Sequence, residues 1–319
     1  MKQAASLILL KPLESPAASN LSGQFKVLMV KRFLFILFIF KIIEDVPRVC
    51  RNAHGTFKSL HVFPGGAVDP SDAAEIWKSL TPPFATDAPL FAHRVAALRE
   101  TFEECGVSHS QLFPNPSPYF NDDITEWRRK IRVEPNLYAK MIENEGKALP
   151  VDSLVHWSHW VTPVVEKRRF DTQFFLAAVD PSLIKTSSFA DGSIDNKEIV
   201  EMEWLTPHEA LSAFENERIR LFPPQYLTLK ELEHFSFSDI CDLVARKKTR
   251  KLPTPCQPHP FESNDDGKVL LLPGDMYHPI SLGSQTKNRL KFEGPNIKII
   301  VTGVNNAMGA IKRGSNSLL

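Results

Sequence analysis

The stretch Arg99 to Val107, RETFEECGV, places carboxylates at Glu100, Glu103 and Glu104. On a helix, residues three and four apart share one face, so these side chains project together. Carboxylates gathered this closely repel one another unless a cation neutralises them. Hard oxygen donors suit Mg²⁺ or Mn²⁺, ions that also bind phosphate oxygens. Arg99 stands four residues before Glu103, where a helical ion pair can brace that carboxylate. An acidic helix face on its own is more often a solvated surface, but two features weigh against that here. Apolar residues at Phe91, Val95, Leu98 and Phe102 give the helix a buried side that fixes the direction of the glutamates. Upstream, FPGG ends in Gly65 and Gly66, which allow backbone to approach a ligand or metal closely.

These groups need a scaffold, and the flanking pattern supplies one. ASLILLKPLE and QFKVLMVKR read as two neighbouring strands, and SLHVFPGG as a third that runs into a Gly-Gly turn. PLFAHRVAALRETFEEC is the amphipathic helix, with Gly106 as its C-cap. DITEWRRKIRVEPNLYAKMIENEGKAL reads as two helices broken before Pro135. HWVTPVVEKRRFDTQFFLAAV reads as two strands around a basic turn, and EIVEMEWL as another strand. A further helix starts at TPHEALSAF, with Thr206 as N-cap, Pro207 in the first turn and Glu209 completing a capping box. LFPPQYLTLKELEHF and FSDICDLVARKK continue as helices, and GKVLLLPGD and NIKIIVTG give two late strands. The mixed order of β and α, without a regular βαβ series, indicates an α+β class with one continuous core.

Composition narrows the function classes. The 319 residues carry a formal net charge of +1, so there is no broad basic field for nucleic acid and no acidic tail. The four cysteines are scattered, with no CxxC pair, which fits a reducing compartment and argues against a disulfide framework. Cys105 reads as a small buried residue and Trp157, Trp160 and Trp204 as core. The N-terminal apolar run reads as a strand and not as a signal peptide. FLFILFIFKII, Phe33 to Ile43, is interrupted by Lys41 and is shorter than a membrane span, so no stable membrane span is expected.

RETFEECGV resembles the second half of the Nudix box at every fixed residue, with Thr101 where a larger apolar residue is usual. FPGG resembles its start. Arg99 follows Gly66 by 33 positions, far beyond the family spacing, and the glutamate expected six residues after the glycine is either replaced here by Asp72 or lost. The intervening EIWKSLTPPFATDAPL supplies an insert whose proline-rich middle suits a surface loop. A long insert at this point resembles the peroxisomal coenzyme A diphosphatase branch of the Nudix hydrolases. KRRFDTQFF, EMEWLTPHEAL, LFPPQYLTLKEL and LLLPGD followed by YHP carry that resemblance along nearly the whole chain.

The resemblance implies a Nudix fold, a mixed β-sheet between helices in an α/β/α sandwich, with additional C-terminal helices and strands. It implies one domain over residues 1–319, with a core over about 5–240, inserts over about 33–50 and 73–91, and a C-terminal extension over about 241–319. It further implies metal-dependent hydrolysis of a diphosphate linkage, with coenzyme A or acyl-coenzyme A giving 3′,5′-ADP and (acyl-)4′-phosphopantetheine. The alternatives are a pyrophosphatase for another nucleoside diphosphate conjugate, or a non-catalytic Nudix module that binds a nucleotide or a protein. Glu100, Glu103 and Glu104 would hold Mg²⁺ or Mn²⁺ with the Gly66 carbonyl as a further ligand. Glu100 is the foremost acceptor for a proton from water, and Arg99 orients the carboxylates. Lys167, Arg168 and Arg169 read equally as contacts to the substrate phosphates or as a charged hairpin turn. His61 and His93 flank the box, where lone histidines are more often structural. Residues 33–50 read as an insertion, either an unspliced segment or a hydrophobic partner-binding flap. The end, Ser317-Leu318-Leu319, departs from a peroxisomal signal at Leu318. Peroxisomal location therefore rests on the resemblance, with the cytoplasm as the alternative.

Overall fold

A computed structural model of the chain describes residues 1–13, 25–32, 60–83, 85–112, 124–179, 199–245, 254–264, 266–281, 284–293 and 296–302. Its centre is a strand whose residues are apolar without strict alternation, ASLILL, as expected of a strand covered on both faces. This is β1 (Lys2–Pro12). It pairs in parallel with β6 (Phe170–Ala178) from Lys2 opposite Phe170 to Leu10 opposite Ala178. On its other side it runs antiparallel to β2 (Phe25–Arg32). The short β3 (Leu60–Val62) and β7 (Ile199–Leu205) flank β2, and β5 (Val155–Val161) closes the far edge against β6.

Successive residues of β1 face opposite layers. Ala5, Leu7 and Leu9 pack with Phe175 against α2 (Phe91–Cys105), whose Val95, Leu98 and Phe102 are buried. Ile8 and Leu10 meet the opposite layer, which includes Leu211 and Phe214 of α5 (Pro207–Glu215) and Leu229 of α6 (Pro223–Leu232). Ile240 and Val244 of α7 (Phe237–Ala245) join that second core. The result is the expected α+β sandwich. The capping box at Thr206 is present, with the Glu209 amide donating to the Thr206 hydroxyl at 3.1 Å.

Three local expectations change. The Gly-Gly pair is a strand, β4 (Gly65–Ala67), antiparallel to β1 with Ser6 opposite Gly65. Its backbone lies so close to β1 that a Cβ on Gly65 would come within 2.6 Å of the Ser6 Cα. Next, the insert is more than a surface loop. It forms α1 (Trp77–Leu80) and a 3₁₀ turn at Ala85–Asp87, and another 3₁₀ turn, Pro70–Ala73, leads into it. Trp77 is only 1% exposed, and its ring lies 5.8 Å from that of Tyr138 on α4 (Leu137–Glu145). The proline-rich spacing hid a single aromatic anchor. Finally, among the described residues the late strands are four: β8 (His259–Ser263), β9 (Gly267–Leu271), β10 (Lys287–Glu293) and β11 (Asn296–Thr302), in a separate antiparallel sheet. β8 and β10 went unread because their charged and polar residues outnumber the apolar ones. This sheet is tied to the edge of β5, where the Val161 amide donates to the Cys256 carbonyl at 2.9 Å.

Trp157 and Cys105 are buried as expected, and Trp160 nearly so; Trp204 is half-buried. No helix among the described residues is long and apolar enough to cross a membrane. Residues 33–50 and the terminal Ser317-Leu318-Leu319 lie outside the described residues.

Candidate functional site

α2 crosses one face of the sheet against β1 and β4, held by its apolar side and ended by Gly106 in the left-handed conformation at φ 68°. Distant segments clamp both of its ends. Near the start, the buried Arg94 guanidinium donates to the carbonyls of Val151 (3.0 Å) and Leu154 (2.5 Å) and stacks on Phe175. At the finish, Arg128 on α3 (Ile124–Val133) donates to the carbonyls of Glu103 (3.0 Å) and Glu104 (2.6 Å). Arg132 adds a bond to the Glu103 carbonyl at 2.7 Å. These arginines satisfy last-turn carbonyls that the helix itself leaves without partners, and their charge complements the helix dipole.

Arg99 is the hub of the acidic face and is 2% exposed. Its Nε and Nη2 fork onto Asp72 at 2.8 and 3.0 Å. Nη1 bonds Glu103 at 2.6 Å and Glu100 at 3.0 Å, and Nη2 also reaches the Ala67 carbonyl at 3.0 Å. Asp72 is 1% exposed and belongs to the 3₁₀ turn, where its carboxylate also accepts from the Asp69 amide at 2.8 Å. The 3₁₀ turn that leads into the insert therefore returns a carboxylate to the glutamate helix, and Asp72, whose role the spacing left open, is the arginine's anchor. Glu104 turns toward β4 and accepts from the Gly65 amide at 3.1 Å. Glu100 lies directly over Gly66, where a Cβ would collide with its carboxyl group. The second glycine is thus required by the glutamate, not by a turn.

Asp72, Glu100 and Glu103 surround one guanidinium, and Glu104 lies beside them on the same helix. Burial is the largest influence on Glu100; Arg99 opposes it, and the charges of Glu103 and Glu104 add to it, so its carboxyl is pushed up to about 7. Burial also raises Glu103, against the pull of Arg99. Arg99 itself is held firmly protonated by Asp72, Glu100 and Glu103 against its burial. A site this rich in buried carboxylates is short of positive charge, and its hard oxygen donors fit a divalent cation. Among the described residues no three carboxylate, imidazole or thiolate groups already form a metal cage. The reason is visible in the bonding: Glu103 is turned to Arg99 and Glu104 to the Gly65 amide.

The basic residues of the β5–β6 hairpin divide. Arg169 donates through Nε to the Thr162 carbonyl at 3.1 Å and helps to close the hairpin. Lys167 and Arg168 are exposed. His61 is buried 3.7 Å from Glu203, and His93 bonds Gln3 at 3.0 Å. What the sequence missed is the pairing of Asp72 with Arg99; its one signal was an acidic residue at the glycine-relative position of the family glutamate.

Comparison with known proteins fits this geometry. The family described as the NUDT19 Nudix domain matches residues 86–232, which contain the whole glutamate helix. The chain is 30% identical to the acyl-coenzyme A diphosphatase NUDT19 of Gallus gallus over 272 residues, covering 70% of each protein. The chain belongs to the Nudix hydrolase family. It is also 28% identical to the Homo sapiens protein of the same name over 275 residues, again 70% of each. Among solved structures, a NUDIX hydrolase from Alicyclobacillus acidocaldarius aligns with a TM-score of 0.52 at 22% identity, over 73% of this chain and 90% of that one. That likeness supports the fold. The chain is accordingly a Nudix hydrolase.

Proposed function

We propose that this hydrolase cleaves the diphosphate of coenzyme A or acyl-coenzyme A, giving 3′,5′-ADP and (acyl-)4′-phosphopantetheine, with Mg²⁺ or Mn²⁺ bound. One observation carries the reading: an intact, buried carboxylate cluster fixed by Arg99 and Asp72, in a chain whose similar proteins are named acyl-coenzyme A diphosphatases. Glu100, Glu103 and Glu104 would hold the cation, with the Gly66 carbonyl beside them. When bound, the cation supplies charge neutralisation for the diphosphate and a lowered pKa for water. Arg99 keeps the carboxylates oriented, and Asp72 keeps Arg99 from swinging out of the site. Water adds to one phosphorus, and the bond to the bridging oxygen breaks. An Oε of Glu100 takes the water's proton. Lys167 and Arg168, exposed on their hairpin, contact the outlying phosphate of the substrate. A peroxisomal location belongs to the same reading and is checked by imaging the tagged protein in cells.

The test is to incubate the full chain with coenzyme A, an acyl-coenzyme A, NADH, ADP-ribose and nucleotide sugars, with Mg²⁺ or Mn²⁺ and with a chelator. Release of 3′,5′-ADP and phosphopantetheine, lost on chelation, is the expected result. Cleavage of the other conjugates with coenzyme A untouched would reassign the substrate, and unchanged turnover under the chelator would remove the cation.

A further inference from the structure

The β5–β6 hairpin ends in a turn whose residues run against local preference. The Glu166 amide donates to the Pro163 carbonyl at 3.2 Å, so Val164 and Val165 occupy the two central positions. Such positions favour glycine, asparagine or aspartate, and β-branched residues fit strands better. Here both valines stand out in solvent, 59% and 57% exposed. The turn is held in place at its base. The Thr162 amide donates to the Phe170 carbonyl at 2.9 Å, the Phe170 amide to the Thr162 hydroxyl at 3.0 Å, and Arg169 Nε to the Thr162 carbonyl at 3.1 Å. Two apolar side chains held out on a turn fixed this way break a local rule, as happens at functional sites.

The charges exposed beside the valines have one sign. Lys167 and Arg168 are exposed, whereas Glu166, the one acid between Thr162 and Phe170, is turned inward and 8% exposed. The next acid along β6, Asp171, is engaged by His159 and Gln3. Met1 and Lys2 lie beside the hairpin, where the Lys2 amide donates to the Arg169 carbonyl at 3.0 Å, and both are exposed. Two valine side chains offer far less than the roughly 800 Å² that each partner of a stable protein interface buries. A lipid surface asks for no shape complementarity. It takes small apolar groups among its headgroups, and its anionic lipids draw cations. The place of the hairpin also matters. Gly66, beneath Glu100, pairs with Ala5, and Lys2 lies three residues, about 10 Å, further along β1. The hairpin therefore projects from the end of the sheet nearer to Gly66.

We propose that the tip of the β5–β6 hairpin, Val164 and Val165 flanked by Lys167 and Arg168, docks on a lipid bilayer that carries anionic headgroups. The valines enter the headgroup layer and the cations face its anionic groups. With two small apolar anchors the contact is reversible. Docking brings the carboxylate site to a surface that collects amphiphilic molecules such as acyl-coenzyme A. That consequence rests on the diphosphatase reading; the docking does not. Lys167 and Arg168 are also assigned to the substrate's outlying phosphate, so docking is read on the valines, which that assignment leaves aside.

The experiment floats the full chain with vesicles of phosphatidylcholine alone and with phosphatidylserine added. Binding should be saturable on the anionic vesicles, weak on the neutral ones, and reduced at high salt, which screens exposed charges. Val164→Ser combined with Val165→Ser, both at exposed positions, should weaken binding about tenfold and leave turnover of soluble coenzyme A unchanged. Val165→Trp should strengthen binding, because tryptophan favours the headgroup region. Misfolding does not produce a gain of that kind. Equal binding by wild type and the serine variant, or no binding to the anionic vesicles, overturns the proposal. So does self-association of the protein alone that the serine variant abolishes in sedimentation, which makes a second copy the occupant. Vesicle binding without coenzyme A turnover keeps the docking and removes the diphosphatase reading; turnover without vesicle binding does the reverse.

Discussion

Two buried arginines in this molecule are gripped by aspartates through nearly the same fork. Arg289 on β10 meets Asp275 through Nε and Nη2, both at 2.9 Å, with both side chains fully buried. Arg99 meets Asp72 at 2.8 and 3.0 Å. The surroundings differ. Around Arg289 the second acid, Asp266, is shared with Lys287, so charges alternate and close. Around Arg99 two glutamates, Glu100 and Glu103, join Asp72, so three carboxylates share one guanidinium. The same pair of side chains therefore serves a closed structural joint in one place and, in the other, a site where the carboxylates outnumber the cation that bridges them. A buried ion pair alone says little about function; the charge left over beside it says more.

The sharpest way to break this contrast is at the uncompensated end. Glu100→Gln should cut kcat by roughly 10²–10⁴-fold, the usual worth of a proton-transferring group. Its unfolding midpoint in urea should not fall, because the substitution removes a buried charge that burial already disfavours. A large loss of stability without loss of turnover would reverse the assignment. At the closed joint, Asp275→Asn leaves the Arg289 charge buried and half-paired. It should cost about 3–5 kcal/mol in denaturant unfolding, while turnover per folded molecule stays near wild type. Asp72→Asn lies between the two. It should lower kcat roughly 10–100-fold, as for groups that orient ligands, with a measurable but smaller loss of stability.

Much of this contrast could be read from sequence on one side only. The glutamate helix was legible because its chemistry and its apolar spacing fall within one local element. So were the Thr206 capping box and the buried central strand. Asp72 was not legible as the partner of Arg99, because the insert separates them and nothing local says that a 3₁₀ turn folds back. Trp77 looked like part of a loop since a lone aromatic among prolines has no period. β8 and β10 were missed because charged and polar residues outnumber apolar ones in both, and Arg289 of β10 finds its acids, Asp266 and Asp275, outside these strands. The hydrogen bonds of Asp171 with Gln3, Gln173 and His159 escaped for a similar reason: their members come from β1, β6 and β5, and only strand pairing brings them together.

The smallest expected effect concerns pH. His156 has a pKa of about 4 in the fold against 6.5 for the unperturbed group. Between those values the unfolded chain binds the proton and the fold does not, so stability is lost as pH falls from 6.5 toward 4. Solvent screening reduces the loss to on the order of 1–2 kcal/mol. Glu100 works the other way, since its raised pKa makes the fold bind a proton that the unfolded chain releases between pH 7 and 4.5. The acid dependence should therefore steepen in Glu100→Gln and flatten in His156→Asn, as read by thermal unfolding across that range. Amide exchange should place the early loss around β5 and α2 and leave the β8–β11 sheet protected, unless the two regions unfold as one unit.

The arginines at the ends of α2 have a mechanical meaning. The helix is a shaft held in two bearings, with Arg94 gripping the backbone of residues 151 and 154 at one end and Arg128 and Arg132 gripping the helix's own last carbonyls at the other. Side-chain tips ride about 5–6 Å from a helix axis, so a rotation of about 10° would carry a carboxylate through about 1 Å. A misplacement of that size can cost on the order of 10²-fold in rate. The bearings fix the angular phase of the glutamates independently of the chain that leads into them. A long stretch of polypeptide can then be threaded between glycines and helix without detuning the carboxylates.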